Sequence, residues 1–225
     1  TTTTNSTRTT ESFYQWLENK HVIHFNKKRN ITHLMMAVGT YPARFLDISN
    51  KLRDEFVDKY LENAGEPKYL AEYIQTSKDF KFRMFVDIDH KETISTAVLH
   101  QFAKTIASVT DSNVIVIGCV DMGKMGVHIH CYDCIVDLAK SKQLYEQILS
   151  EITKLTEIDN EYLECLDDTV YMKGRGIRML YSRKVTNTID KGRVYEYMFN
   201  CDSKGNISKK QYSKTELLQK TSILI

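Results

Sequence analysis

The stretch Arg83-Met84-Phe85-Val86-Asp87-Ile88-Asp89 ends in alternating apolar and acidic side chains, and its reading organises the rest of the chain. On a strand, residues i and i+2 share a face. Asp87 and Asp89 then point one way, while Met84, Val86 and Ile88 point the other. Two carboxylates held side by side on a buried strand are costly unless something positive sits between them. A hard divalent cation such as Mg²⁺ or Mn²⁺ fills that role, because it takes carboxylate oxygens and keeps positions open for phosphate and water. The competing reading is a strand running out into solvent with two ordinary surface aspartates.

On the amino-terminal side, Ser12 to Asn19 forms a short helix carrying Phe13, Trp16 and Leu17. Ser49 caps a helix with Leu52, Phe56, Val57, Tyr60 and Leu61 on one side, ending near Asn63-Ala64-Gly65. On the carboxyl-terminal side, Thr93 or Ser95 starts a helix whose apolar face is Ile94, Val98, Phe102 and Ile106. Asn113 to Val120 is a β-branched strand, and the loop Asp121 to Gly126 turns it into a second strand, Val127 to Tyr132. A longer helix follows from Ser141. Further strands are expected at Val170 to Met172, Ile177 to Tyr181 and Arg193 to Phe199, then a turn at Ser203 to Asn206, a last strand and a short terminal helix. Strands and helices are mixed without strict β–α–β alternation, which indicates an α+β fold with antiparallel or mixed sheets and helices packed on one side.

The composition narrows the function classes. With 225 residues the chain makes one substantial domain, or one domain with a small accessory lobe. A net charge of +2 excludes a molecule that is polybasic as a whole, so any basic surface is local. The longest apolar run, Val114 to Val120, is strand-sized, and no membrane association is expected. Thr1 to Thr10 reads as a flexible lead-in without the pattern of a secretory signal. Five scattered cysteines do not suggest a disulfide framework, and an intracellular, reducing compartment is expected. Cys131 and Cys134 form a CxxC, but no second pair follows at zinc-finger spacing.

Two further motifs bear on chemistry. In Lys124-Met125-Gly126-Val127-His128-Ile129-His130, alternation places His128 and His130 on one strand face, suited to a metal or to phosphate oxygens. Gly126 allows close approach and Lys124 adds charge. An isolated pair of this kind reads equally well as two exposed histidines. Downstream, Leu166-Asp167-Asp168-Thr169-Val170-Tyr171 supplies another acidic residue. Lys173, Arg175, Arg178, Arg183, Lys184, Lys191 and Arg193 then make the most basic neighbourhood in the chain, suited to triphosphate or nucleic-acid backbone contacts. A carboxylate pair, a histidine strand, a third carboxylate and a basic strand together meet the needs of two-metal nucleotidyl transfer.

These motifs resemble the catalytic domain of archaeo-eukaryotic primases, in the branch of the primase–helicases of poxviruses and other large DNA viruses. Phe85-Val86-Asp87-Ile88-Asp89 resembles the family's acidic strand, Gly126-Val127-His128 its small-x-His strand, and Leu166-Asp167 its later hydrophobic-Asp motif. Asp167 to Tyr171, Ile177-Arg178-Met179 and Ser182-Arg183-Lys184 resemble the viral branch, as do Thr32 to Met36 more weakly. The resemblance runs from about Thr32 to Phe199. It implies an RRM-like catalytic core and a catalytic domain over residues 11–225, with a small helical subregion at 11–80.

It also implies Asp87, Asp89 and Asp167 as ligands of two Mg²⁺ or Mn²⁺ ions, with Asp168 the alternative third carboxylate. His128 would contact the incoming nucleotide's phosphates, with His130 accessory, and Lys124, Arg178, Ser182 and Lys184 would hold the nucleotide. The implied partners are single-stranded DNA template, ribo- or deoxyribonucleoside triphosphates, and a helicase domain in the same full-length polypeptide, a hexamer among the expectations. The implied setting is viral DNA replication in an infected host cell. Two departures stand out: Gly126 where relatives often carry serine, and Gly176 where some cellular relatives carry a polar side chain.

Rival readings explain less. His128-Ile129-His130 fits the His-hydrophobic-His signature of rolling-circle nucleases, but these need a tyrosine with lysine four residues on, and Tyr145 is followed there by Leu149. A metal-dependent glycosyltransferase accounts for Asp87 and Asp89 alone. A non-catalytic nucleic-acid-binding module would leave the complete acidic set without a use.

Overall fold

The computed structural model describes residues 11–225 except 27–29, 63–64, 76, 78, 122, 156–157, 159 and 172–174, and leaves aside the side chains of 121 and 160. The flexible segment expected at 1–10 and the basic residue Lys173 lie outside the described residues.

The chain runs through α1 (Phe13–Asn19), β1 (Ile23–His24), β2 (His33–Met35), β3 (Arg44–Leu46), α2 (Arg53–Glu62) and β4 (Leu70–Tyr73). Then come β5 (Phe82–His90), α3 (Thr96–Thr110), β6 (Val114–Asp121), β7 (Lys124–Val136), α4 (Leu138–Ile152) and α5 (Asn160–Leu163). The last part holds β8 (Gly176–Arg178), β9 (Arg183–Thr186), β10 (Ile189–Val194), β11 (Glu196–Cys201), β12 (Ile207–Ser208) and α6 (Lys214–Thr221). Region 11–80, expected to be helical, therefore carries four strands beside its two helices. All four are only two to four residues long and lack a readable alternation.

The sheet that holds the acidic strand has the order β12-β11-β6-β7-β5. Both β5 and β6 run antiparallel to β7, so they are parallel to each other with α3 as their crossover and β7 between them. The helices form where local signals agree. Ser95 accepts a hydrogen bond from the Val98 N–H at 3.3 Å and starts α3, while Asp137 accepts from Lys140 at 2.8 Å and starts α4. Leu99, Phe102 and Ile106 of α3, with Leu144, Ile148 and Ile152 of α4, pack on Met84, Val86, Ile88, Val127 and Ile129. Each such side chain stabilises the fold by roughly 1.5–3 kcal/mol when fully buried.

The opposite face of β6 is buried too. Ile115, Ile117 and Cys119 belong to a second core with Phe13, Trp16, Phe56, Tyr60, Leu217 and Leu218. Helices therefore flank this sheet on both faces rather than one, because β6 is apolar at every position from Val114 to Ile117 and leaves no face for water.

A second sheet, in the order β1-β3-β2-β4-β8, is antiparallel throughout, and β9 and β10 form a separate two-stranded ribbon. The ribbon's turn residues Asn187 and Thr188 have φ of 50° and 63°, the positive values a two-residue hairpin loop demands. The Thr188 carbonyl accepts from Gly39 N–H at 2.7 Å, which ties the ribbon to the second sheet.

Four expected strands differ in extent or form. The strand expected at Val127 to Tyr132 runs from Lys124 to Val136, which takes up half of the loop expected at Asp121 to Gly126. Val170 to Met172 is not a strand where described: Thr169–Tyr171 is a 3₁₀ turn, set by Asp167 Oδ1 accepting from Thr169 N–H at 2.8 Å. The strand expected at Ile177 to Tyr181 stops at Arg178, and Tyr181 takes a φ of 65°. The strand expected at Arg193 to Phe199 is two strands, β10 and β11, that meet at Tyr195.

Candidate active site

The β5–β7 register places Asp87 opposite His128 and Asp89 opposite Gly126. This follows from alternation: once Val86, Ile88, Val127 and Ile129 enter the core, their neighbours must face the other way. Asp87 Oδ1 lies 3.4 Å from His128 Nε2.

The third carboxylate arrives from far along the chain. Leu166 forms an isolated antiparallel bridge with Ile88. Asp167 N–H donates to the Asp87 carbonyl at 3.0 Å, and Asp89 N–H donates to the Cys165 carbonyl at 3.0 Å. The segment thus covers the free edge of β5 and sets Asp167 beside the pair. Asp167 is among the charges that act most strongly on Asp87. Asp168 is exposed, and its carbonyl caps the 3₁₀ turn at Tyr171.

The electrostatics follow from this crowding. Burial, and then the charges of Asp89 and Asp167, raise the pKa of Asp87 from 3.8 to about 7, with Arg178 and Lys184 opposing. Burial also pushes His128 well below its ordinary value, helped by His130, Arg178 and Lys184, so its imidazole is neutral. His130 is lowered to about 3 by burial, then by Arg83. Asp87 Oδ1, His128 Nδ1 and Arg178 Nη1 are buried without hydrogen-bond partners.

The positive side comes from the other sheet and the ribbon. β8 pairs with β4, Arg178 opposite Ala71, and turns Arg178 toward Asp87. A cleft of about 210 Å³ is lined by Asp89, Lys124, Gly126, Arg178, Lys184 and Arg193 among others. Arg183 stays outside this lining: it pairs with Asp190 at 2.8 Å. Arg175 and Lys191 are exposed and also outside it.

Ser182, expected to touch nucleotide, is fully buried. Its hydroxyl donates to the Lys68 carbonyl at 3.1 Å and accepts from Leu70 N–H at 2.6 Å, so it clasps β4 and has no opening to the cleft.

Tyr195 is the residue that sequence reasoning missed. Its ring centroid lies 3.8 Å from that of His128, and the Arg178 guanidinium carbon sits 4.2 Å from the same ring. One aromatic side chain therefore separates and orients the histidine and the arginine. Tyr195 also explains Gly126. A Cβ there would fall 2.9 Å from the Tyr195 hydroxyl oxygen and 3.2 Å from Asp89 Oδ1, so no serine fits without a shift. At Gly176 a Cβ would meet the Glu72 carbonyl at 2.9 Å, which excludes a side chain on that tight β4–β8 pair.

Among the described residues no group of three or more His, Cys, Asp and Glu is assembled as a cation site. The donor chemistry nonetheless fits a hard cation: Asp87 Oδ1 is buried without a donor and faces two further carboxylates. Cys131 and Cys134 are free thiols, and they too belong to no group of three or more such residues among those described. Tyr145, the candidate nucleophile of the nuclease reading, donates its hydroxyl to the Leu166 carbonyl at 2.9 Å and so braces the acidic segment.

A second cavity, about 250 Å³, lies between α2, α6 and β4 and contains His33, Arg53, Glu72 and Arg83. Its polar groups are turned inward on the protein. Glu72 accepts from Ser222 Oγ and from Ile223 N–H at 2.8 Å, and Arg83 donates to the Gln219 and Ser222 carbonyls at 2.9 and 3.0 Å.

Among the described residues no helix is long and apolar enough to cross a membrane. No curated protein matches the chain. The Prim-pol 4 family model covers residues 9–152, from α1 through the acidic strand β5, the histidine strand β7 and α4, and the chain belongs to that family of primase-polymerase type.

Proposed function

We propose that this domain is a primase-polymerase that joins nucleoside triphosphates into short primers on single-stranded DNA. The observation that carries the reading is that Asp89, Arg178 and Lys184 line one cleft, while Asp89, Asp167, Arg178 and Lys184 all act on buried Asp87, which does not itself line it. Family membership supports nucleotidyl-transfer chemistry in general. The run β5-α3-β6-β7-α4, with β7 between two parallel strands, supports an RRM-like core. In this reading residues 11–225 act as one catalytic domain, next to a helicase domain of the same polypeptide at a viral replication site.

Asp87, Asp89 and Asp167 would hold Mg²⁺ or Mn²⁺. Bound there, two such ions ease deprotonation of the attacking 3′-hydroxyl and stabilise the departing pyrophosphate. The protein's own part is positioning and charge. Arg178 and Lys184 neutralise the triphosphate, and Lys124 reaches it from the rim. His128 stays neutral, so it offers a hydrogen bond to a phosphate oxygen without repelling Arg178. Tyr195 keeps those two side chains apart and fixed.

The test is primer synthesis on single-stranded DNA with labelled nucleotides and Mg²⁺ or Mn²⁺, comparing wild type with Asp87→Ala/Asp89→Ala. Short template-dependent products that vanish in the double variant are expected. Products that survive it would move the site elsewhere, and nicking with a covalent protein adduct would favour the nuclease.

A further inference from the structure

Among the described phenylalanine, tyrosine and tryptophan side chains, only Phe25 and Tyr41 are exposed, at 74% and 76%. Both line one hollow on the second sheet, together with His21, His24 and Arg44. Neither ring is loosely placed. Tyr41 belongs to a backbone bridge with Val38, their N–H and carbonyl groups exchanged at 2.9 and 3.0 Å. Phe25 follows the edge strand β1 and has the Arg44 guanidinium carbon 4.2 Å from its centroid, which leaves its other face to solvent. A single carboxylate, Glu18, lines the same hollow.

The hollow leads, by way of a second groove, to the ribbon beside the candidate active site. It shares Met35 and Arg44 with a neighbouring groove whose far wall is Val185, Asn187 and Thr188 of the β9–β10 ribbon. The next residue on that ribbon, Lys184, lines the cleft. Cleft and groove thus flank the two sides of one narrow ribbon.

We infer that single-stranded nucleic acid crosses this ribbon from the cleft and stacks bases on Phe25 and Tyr41, with Arg44 against its phosphates. Exposed rings interleaved with cations are what sequence-tolerant strand binding needs, since every base has a π-face and every linkage a charge. An apolar protein partner would call for exposed aliphatic surface in the hollow, and none of the exposed aliphatic residues among those described, Val120, Ile135, Ile189 and Ile225, lines it. The inference rests on the primase-polymerase reading for its ligand and extends it to the template path.

The experiment measures binding of a labelled oligothymidylate of about 15 nucleotides by fluorescence anisotropy, without nucleotide, for wild type, Phe25→Ala, Tyr41→Ala and the double variant. Each single variant should bind roughly tenfold more weakly with an unchanged salt dependence, because stacking is lost while phosphate contacts remain. Phe25→Trp should retain affinity, and its emission should be quenched by the oligonucleotide, a signature that a purely structural role would not give. Trp16, at 1% exposure, provides a constant background. In primer synthesis the double variant should raise the template KM and leave kcat and the nucleotide KM unchanged.

Oligonucleotide binding unchanged in the double variant would overturn the inference. So would a wild-type dimer in sedimentation that the double variant dissolves without change in oligonucleotide affinity, since the hollow would then serve a second copy of the chain. Wild type that makes no primers, yet loses oligonucleotide affinity in the double variant, would refute the enzymatic reading and leave the stacking surface standing. Wild type that makes primers with a double variant of equal template KM would do the reverse.

Discussion

Two regions of this molecule each bury one carboxylate, and burial raises both Asp87 and Glu72 to about 7. The surroundings then diverge. Glu72 is met by Ser222 and Ile223, and Arg53 and Arg83 lower its pKa, so its cavity is a closed joint between β4 and the segment after α6. Asp87 has a buried oxygen without a donor, and its nearest like charges, Asp89 and Asp167, make its state worse rather than better. The difference teaches that a shifted carboxyl marks a site only where the protein has withheld the hydrogen bonds that would satisfy it.

The largest effect that tests this contrast is at the third carboxylate. Asp167→Asn should lower primer synthesis roughly a thousandfold with the fold intact, the scale of removing one well-placed electrostatic group. Next, Arg178→Ala should cost about a hundredfold in kcat/KM for the nucleotide. Arg178→Lys should recover little, because a lysine restores charge without the planar stack on Tyr195. Steady-state kinetics on both variants, against circular dichroism as a fold check, would decide the matter.

Stability measurements separate the two regions directly. Asp87 has a folded pKa raised from 3.8 to about 7, so its favourable contribution is complete below the lower value and is lost as pH rises through the upper one. Without divalent cation, Asp87→Asn should therefore gain about 2 kcal/mol over wild type near pH 8, and the gain should disappear toward about pH 4. Added Mg²⁺ should stabilise wild type near pH 8 but not Asp87→Asn. Glu72→Ala should instead lose about 2 kcal/mol, because it leaves the Ile223 N–H and Ser222 hydroxyl without their acceptor. Its Mg²⁺ response should match wild type. Urea unfolding at the two pH values reads all of these.

The smallest effect concerns Gly126. Gly126→Ala should destabilise by about 1 kcal/mol through the contact with the Tyr195 hydroxyl. Combining it with Tyr195→Phe, which removes that oxygen and keeps the ring on His128, should recover most of the loss. Full additivity of the two changes would mean that the glycine serves another purpose.

Much of the helix-backed sheet was legible in the sequence because its signals are local. Ser95 as a cap, the apolar face Val98-Phe102-Ile106, the β-branched run of β6 and the alternation in β5 and β7 each report on neighbours a few positions away. The second sheet was not legible, since strands as short as β1, β2 and β8 carry too few residues to show a period. Ser182 misled for a related reason: a serine beside two basic residues looks like a phosphate ligand. Only the packing of β4 shows its hydroxyl spent between Lys68 and Leu70.

Alternation with period two thus determined, from the sequence by itself, that Asp87 and Asp89 share one face and that His128 and His130 share another. The pleat allows no other outcome once the intervening side chains enter a core. Which faces meet was decided by the tertiary structure. The Ile88–Leu166 bridge brings Asp167 across about eighty positions of chain to the pair. The β4–β8 pairing turns Arg178 onto it, and Tyr195 enters between Arg178 and His128 at the junction of β10 and β11. Such contacts join residues with no common period. Their energy comes from long-range pairing and packing, for which a linear pattern carries no signature.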